Sequence, residues 1–155
     1  MQLAYLSDHP EYVSVVSQWV YEEFVVKENG TSPLEKSLEK FSHTYPDVFP
    51  VTLIALEGEV CAGTVTLYDN DLETQHELTP WLGSLYVPPE HRGRGIAKEL
   101  IRQALSKTRS MGYPVLYLRT EHAAEYYRAL GWVFVQKTKD ERERKTEVFQ
   151  FQLTS

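Results

Sequence analysis

The chain has 155 residues, 25% of them charged and 42% apolar, with a net charge of −6 and a pI near 5.4. That size suits one domain with a substantial core, and the composition excludes a disordered chain and a broadly basic nucleic-acid coat. The total hides an asymmetry, because residues 1–80 carry 14 acids against three Lys/Arg (net −11) and residues 81–155 carry eight acids against 13 bases (net +5).

Gln2–Leu6 reads as a short strand. Asp8, with Glu11 three residues on, forms a capping box, and Pro10 is tolerated in the first turn. Val13, Val16, Val20 and Phe24 recur at helical spacing and predict one core-facing stripe. Ser32 before Pro33, with Glu35 following, marks a second helix start, and Leu34, Leu38 and Phe41 give it an apolar side. The period then changes. Val51–Ala55 and Val60–Tyr68 are β-rich runs joined at Leu56–Glu59, which predicts a hairpin. Cys61, the only cysteine, lies among apolar neighbours and reads as a buried small hydrophobe. It excludes an intrachain disulfide and Cys-paired zinc patterns, and no metal is expected.

Trp81–Val87 is a third run, stopped by Pro88-Pro89. A helix is predicted from Gly95 to Met111, with Ile96, Leu100, Ile101, Ala104 and Leu105 on one face and Gly112 at its end. Tyr113–Thr120 is a buried strand, His122–Leu130 a short helix, and Trp132–Thr138 and Thr146–Leu153 two closing strands. The mixed-sign run Lys137–Glu147 reads as a solvated hairpin tip. This order mixes hairpins with strand–helix–strand crossovers and predicts an α+β fold on a mixed sheet. No repeat or linker interrupts it, so a single domain over 1–155 is expected. Met1–Tyr12 has neither a basic n-region nor an apolar h-region, and no apolar run approaches the roughly 20 residues of a membrane span. A cytoplasmic protein with no membrane partner is expected.

The most informative stretch runs from Leu85 through Lys98. A strand enters a glycine-rich turn that opens directly into a long helix. The first helical turn has unpaired N–H groups and a positive dipole end. Gly93 and Gly95 let a phosphate approach that backbone, Ala97 keeps the next position small, and Arg92, Arg94 and Lys98 add positive charge. The pattern points to a pyrophosphate cradle. It is not the dinucleotide fingerprint, which needs glycine where Lys98 stands, and it is not the P-loop.

Arg92-x-x-Gly95-x-Ala97, after a strand ending in Val87 and a Pro-Glu turn, resembles the central motif of the GNAT acetyltransferase superfamily. A second family motif follows at Ala123–Trp132, with the aromatic pair Tyr126-Tyr127, three residues, then Gly131 and an aromatic. The family usually has Phe where Trp132 stands. The element order agrees along essentially the whole chain. The resemblance implies a central, mostly antiparallel mixed sheet with helices on both faces, a three-layer arrangement.

The resemblance also implies acetyl-CoA as co-substrate and direct transfer of its acetyl group to an amine in a ternary complex. Carried over residue by residue, the main chain of Leu85, Tyr86 and Val87 would pair with the pantetheine arm. Arg92 and Gly93, Arg94, Gly95, Ile96, Ala97 and Lys98 would hold the pyrophosphate. Thr120 would touch the pantetheine from the neighbouring strand. A β-bulge near Gly83–Leu85 would splay the strands, with Gly83 making it easy. Tyr127, the second aromatic of the pair, is the candidate general acid for the departing thiolate, since a phenol near its reference pKa of about 10 stays protonated at neutral pH.

For the base, Trp81–Val87 holds no carboxylate. His76, Glu77, Glu121 and His122 are candidates by proximity, beside a water relay. The stretch Asp69–Glu77 holds four acids and no Lys or Arg, which suits steering of a cationic amine acceptor. Acetylation at Cys61 is a weaker route, since that residue lies in another strand. The different-class alternative is a non-catalytic acyl-CoA sensor using the same cradle. A monomer and a homodimer through C-terminal edge strands are both compatible with the sequence.

Overall fold

A computed structural model describes residues 1–153. The strands are β1 (Gln2–Tyr5), β2 (Val51–Glu57), β3 (Val60–Tyr68), β4 (Trp81–Tyr86), β5 (Val115–Thr120), β6 (Val133–Lys139) and β7 (Lys145–Gln152). The helices are α1 (Val13–Tyr21), α2 (Leu34–Ser42), α3 (Ile96–Ser110) and α4 (Ala124–Ala129). The strands form one seven-stranded mixed sheet in the order β1-β2-β3-β4-β5-β7-β6. β1 pairs antiparallel with β2, β4 parallel with β5, and β7 antiparallel with both β5 and β6. Each predicted strand and helix is present, with ends shifted by a few residues.

The chain forms two compact units. One comprises Met1–Thr66 with Ser84–Ala104, the other Leu67–Gly83 with the chain from Leu105 onward. In the first unit, every residue of Val51–Leu56 and Cys61–Thr66 is buried, the mark of strands covered on both faces. Leu6, Val16, Val20, Phe41, Ile54, Leu56 and Cys61 form one core cluster there. The buried threonine hydroxyls of β2 and β3 are paired: Thr52 and Thr66 share a bond at 2.8 Å, and Thr64 donates to the Leu53 carbonyl at 3.1 Å. Cys61 is buried as expected, and burial pushes its thiol up to about 11. In the second unit, Leu72, Trp81 and Val148 form the core, with Tyr68, Leu78 and Tyr117 packed on it.

Three local expectations are corrected. Asp8 and Glu11 make no capping box: two single 3₁₀ turns, Leu6–Asp8 and Pro10–Tyr12, precede α1, whose cap residue is Tyr12 with no side-chain bond. Pro33, not Ser32, caps α2, again without a side-chain bond. The α1 stripe ends at Val20, because Glu22–Val26 is a π-helical turn. The wider turn advances the register and rotates the next position off the core face, leaving Phe24 43% exposed.

The charged hairpin after β6 is also not wholly solvated. Asp140 is 2% exposed. It accepts the N–H groups of Arg142 and Arg144 at 2.9 Å, the Arg144 Nε–H at 2.8 Å and an Arg119 Nη2–H at 3.4 Å. Burial raises its carboxyl, but the Arg144 and Arg142 N–H groups and the Arg144 guanidinium outweigh this and hold it below the usual value.

Candidate active site

In the first unit, Val87 and Pro88 are buried and end the strand. A 3₁₀ turn at Pro89–His91 follows, with Arg92 N–H bonded back to the Pro89 carbonyl at 3.2 Å. Gly93 and Gly95 have φ of +81° and +79°, a region closed to most L-residues. The glycines are therefore required by the turn itself. A Cβ built on either would meet nothing within 4 Å, so space is open beside this backbone. The first helical bond runs from Glu99 N–H to the Gly95 carbonyl at 3.1 Å. The N–H groups of Ile96, Ala97 and Lys98 thus lie ahead of the intrahelical ladder, at the positive end of a 15-residue helix.

The helix is anchored from below. Ile96 and Leu100 are buried, and a Cβ at Gly63 of β3 would stand 3.1 Å from each and 3.2 Å from Val87. Arg92 is committed to holding the turn: its Nε–H donates to the Val87 carbonyl at 2.8 Å and its guanidinium lies 5.7 Å from the Tyr86 ring. Tyr86 in turn packs on Trp19 at 5.7 Å between ring centres. Arg94 and Lys98 are exposed. Leu85 and Tyr86 are half-buried. The cradle is thus made of main-chain donors with two exposed cations beside them in sequence.

β4 departs from regular strand geometry inside the expected Gly83–Leu85 stretch. The left-handed backbone falls on Ser84, at φ +50°, and not on Gly83. Gly83 is needed for closeness instead: a Cβ there would lie 2.8 Å from Asp71 Oδ2 and 3.0 Å from Tyr68 Cε2. The residue-to-residue register of β4 with β5 is Trp81 with Tyr117, on the near side of Ser84.

In the second unit, Thr120 ends β5 and its buried Oγ1 accepts the Ala123 N–H at 2.9 Å. That bond closes the turn into α4, so the Thr120 hydroxyl orients the helix that carries Tyr127. Tyr127 N–H bonds to the Ala123 carbonyl, and the Tyr127 carbonyl receives the Leu130 and Trp132 N–H groups. Its ring stands edge-on to Tyr126 at 5.3 Å and to Trp132 at 6.1 Å, and Trp132 meets Phe151 at 5.4 Å. Burial, with Tyr126 beside it, pushes the Tyr127 hydroxyl up to about 12. It is a fully protonated donor at neutral pH.

The base candidates are not gathered. His76, Glu77 and His122 are exposed. Glu121 is engaged by the Thr146 hydroxyl, and Arg119 Nε lies 3.7 Å from it. The acidic loop, in contrast, is well built. Asn70 Oδ1 accepts the Leu72 N–H and its amide donates to the Gln75 carbonyl, while Thr79 donates to Asp69 at 3.0 Å. Thr74 donates to the Lys139 carbonyl and Gln136 to Gln75. An Arg119 Nη1–H reaches the Asp71 carbonyl at 3.4 Å. Sequence reasoning missed the Arg119–Asp140 pair, since only strand and hairpin register bring these two residues together. Among the described residues no group of three His, Cys, Asp or Glu could hold a metal ion, and no helix is long and apolar enough to cross a membrane.

Comparison with known proteins gives the family and the fold. A model of the acetyltransferase (GNAT) family matches residues 13–132. Human N-acetyltransferase 8B is 37% identical over 83 residues, covering 51% of this chain and 37% of that protein, so the match spans little more than a third of the relative. The uncharacterized N-acetyltransferase YjgM of Escherichia coli K12 is 26% identical over 136 residues, 82% of this chain and 77% of that one. Among solved structures, an aminoglycoside 6'-N-acetyltransferase complexed with coenzyme A superposes with a TM-score of 0.78 at 14% identity, covering 100% of this chain and 98% of the other. At that identity the likeness establishes the fold.

Proposed function

Because this chain belongs to the acetyltransferase (GNAT) family, we propose that it transfers the acetyl group of acetyl-CoA directly to an amine acceptor, as a single domain and in a ternary complex. The observation that carries this reading is the cradle: two glycines at positive φ, open beside their backbone, at the start of a long helix. Those features fit a pyrophosphate, which needs close main-chain approach and converging N–H donors. Gly93 to Lys98 bind it through the main chain, Arg94 and Lys98 add charge, and Arg92 keeps the turn in shape. The main chain of Leu85, Tyr86 and Val87 pairs with the pantetheine amides as a short added strand would. In this reading Thr120, at the end of β5, touches the pantetheine.

Acetyl-CoA supplies the activated acyl group and a thiolate leaving group. The amine nitrogen forms a bond to the acyl carbon, the carbon–sulfur bond breaks, and Tyr127 Oη–H donates to the sulfur as charge develops there. With the phenol near 12 and a thiol near 8.5, full transfer is uphill by about 3 pK units, roughly 4–5 kcal/mol. Tyr127 therefore acts first as a hydrogen-bond donor, and the proton follows as the sulfur departs. The proton shed by the nitrogen goes to solvent through a base or water relay.

The test is thiol release from acetyl-CoA across a panel of amines, with CoA binding measured alongside. Amine-dependent release supports the reading. CoA binding without release by any amine supports the sensor instead, and absence of CoA binding overturns both.

A further inference from the structure

The glycine turn is braced from outside its own stretch of chain. Arg92 Nε–H holds the Val87 carbonyl at 2.8 Å, and its guanidinium lies 5.7 Å from the centre of the Tyr86 ring. That ring is only half-buried and needs a support of its own. The support is Trp19 of α1, 5.7 Å away between ring centres at an interplanar angle of 41°. Indole, phenol, guanidinium and carbonyl therefore act in series. Trp19 is fixed from behind, packed against the core cluster that holds Leu6, Val16, Val20 and Phe41. All of these residues belong to the first unit.

The segment after α1 keeps the same face toward the glycine turn. Trp19, Glu23 and Lys27 stand four residues apart. In a plain α-helix each such step leads by about 40°, so the third residue would stand about 80° round from the first. Here the chain passes through the π turn, closed by the Lys27 N–H on the Glu22 carbonyl at 3.1 Å. A π turn holds more residues, so its four-residue step falls short of a full circle and cancels the drift. Lys27 returns to the Trp19 face while Phe24 is turned out. Glu23 accepts a bond from Lys27 at 2.8 Å. That carboxylate raises the ammonium above its ordinary value, Tyr86 adds to the rise, and Arg92 opposes it. The Lys27 charge thus stands in the field of both residues of the brace.

We propose that Trp19 is a positioning residue for the cofactor turn: α1 sets the Tyr86 ring, the ring sets the Arg92 guanidinium, and Arg92 sets the Val87 carbonyl at the head of the turn. A guanidinium held beside an aromatic ring keeps its planar fork in one orientation. Without the indole the Tyr86 ring is free to tilt, the fork loses its seat, and the bond from Nε–H to the carbonyl opens more often. The Gly93–Lys98 main chain then starts from a less fixed point. The proposal rests on the CoA reading for what the turn binds, and on the geometry alone for the link from Trp19 to Arg92.

The test follows the Arg92 Nε–H by NMR in the free protein and CoA affinity by calorimetry, in Trp19→Leu and Trp19→Phe. Leucine keeps apolar bulk against the core and removes the flat ring, and phenylalanine restores a ring. In Trp19→Leu the Arg92 Nε–H should exchange with water about tenfold faster and CoA should bind about fivefold more weakly, whereas in Trp19→Phe both should stay within about twofold of wild type. In an Arg92→Ala background, Trp19→Leu should cost less than about twofold in CoA affinity, since the link it works through is gone. An equal loss in both backgrounds would mean that Trp19 only stabilises the fold, and overturns the proposal. An Arg92 Nε–H whose exchange is unmoved by Trp19→Leu overturns it too. A wild type that binds no CoA removes the cofactor reading instead, and the Arg92 signal then decides the link from Trp19 by itself.

Discussion

The cradle at Gly93–Lys98 offers backbone N–H groups, whereas the corner around Tyr127 offers one side-chain hydroxyl. The first depends on dihedral angles, two glycines at φ near +80° and a helix that begins just after them. The second depends on packing, a ring fixed by Tyr126 and Trp132 on a turn closed by Thr120. Main-chain chemistry is written in local sequence and tolerates many side chains at the exposed Arg94 or Lys98. Side-chain chemistry needs one atom in one place, and residues far along the chain put it there. The two regions should fail in different ways when changed.

The largest separation is expected from Tyr127→Phe. It removes the proposed donor to sulfur and leaves the ring contacts, so kcat should fall about 10²–10³-fold, in the range of general-acid effects. CoA affinity should stay within twofold. The check is steady-state kinetics beside calorimetric CoA binding. A variant with unchanged turnover would remove Tyr127 from the reaction.

Next in size is Asp140→Asn, which tests whether the second unit needs its charge network. One partner of a buried pair is lost while Arg119 and Arg144 remain, which costs about 3 kcal/mol and lowers Tm by roughly 6–12 °C at this chain length. The sign with pH follows from the lowered carboxyl of Asp140. Its stabilisation is complete above the unfolded value near pH 4 and is lost as pH falls through the lower folded value. The Tm gap between wild type and variant should therefore close in acid, in a thermal melt series from pH 7 to pH 2.

What was legible in the sequence follows the same division. Arg92, Gly93, Gly95 and Ala97 could be read because the cradle is local: a strand end, a turn and a helix start within 14 residues from Leu85. The strands and helices were readable because β2 and β3 are unbroken apolar runs and α3 keeps a clean helical stripe. Phe24 misled because a π turn leaves no mark in apolar spacing. Asp140 was hidden in a run of mixed charge, where only the pairing of β6 with β7 and the reach of Arg119 decide which acid is buried. Asp71 looked like one of four loop acids until the absent side chain of Gly83 gave its carboxylate a place.

Gly95→Val addresses the cradle alone. A β-branched residue at φ +79° strains the turn by about 1–2 kcal/mol and moves the Ile96 and Ala97 N–H groups. CoA should bind about tenfold more weakly by calorimetry. The ring cluster of Tyr127, Trp132 and Phe151 should keep its aromatic NMR shifts. Shifts that move there as much as at α3 would show that the two regions do not fail separately.

The smallest effect is expected at Trp132→Phe, the point where this chain departs from the family's usual residue. Trp132 is 2% exposed and its indole Nε1 has no hydrogen-bond partner among the described residues. An unpaired buried donor costs about 1–3 kcal/mol, and Phe removes it. Phe also leaves a smaller ring against Tyr127 and Phe151, which costs a similar amount through lost packing. The two terms oppose each other, so the net change in stability should stay within about 1 kcal/mol, a Tm shift under roughly 4 °C. Because the ring that flanks Tyr127 survives, kcat should change less than tenfold. A destabilisation of about 3 kcal/mol or more would mean that the indole N–H is satisfied in solution, and the Tyr127 corner would then rest on a polar contact as well as on packed rings.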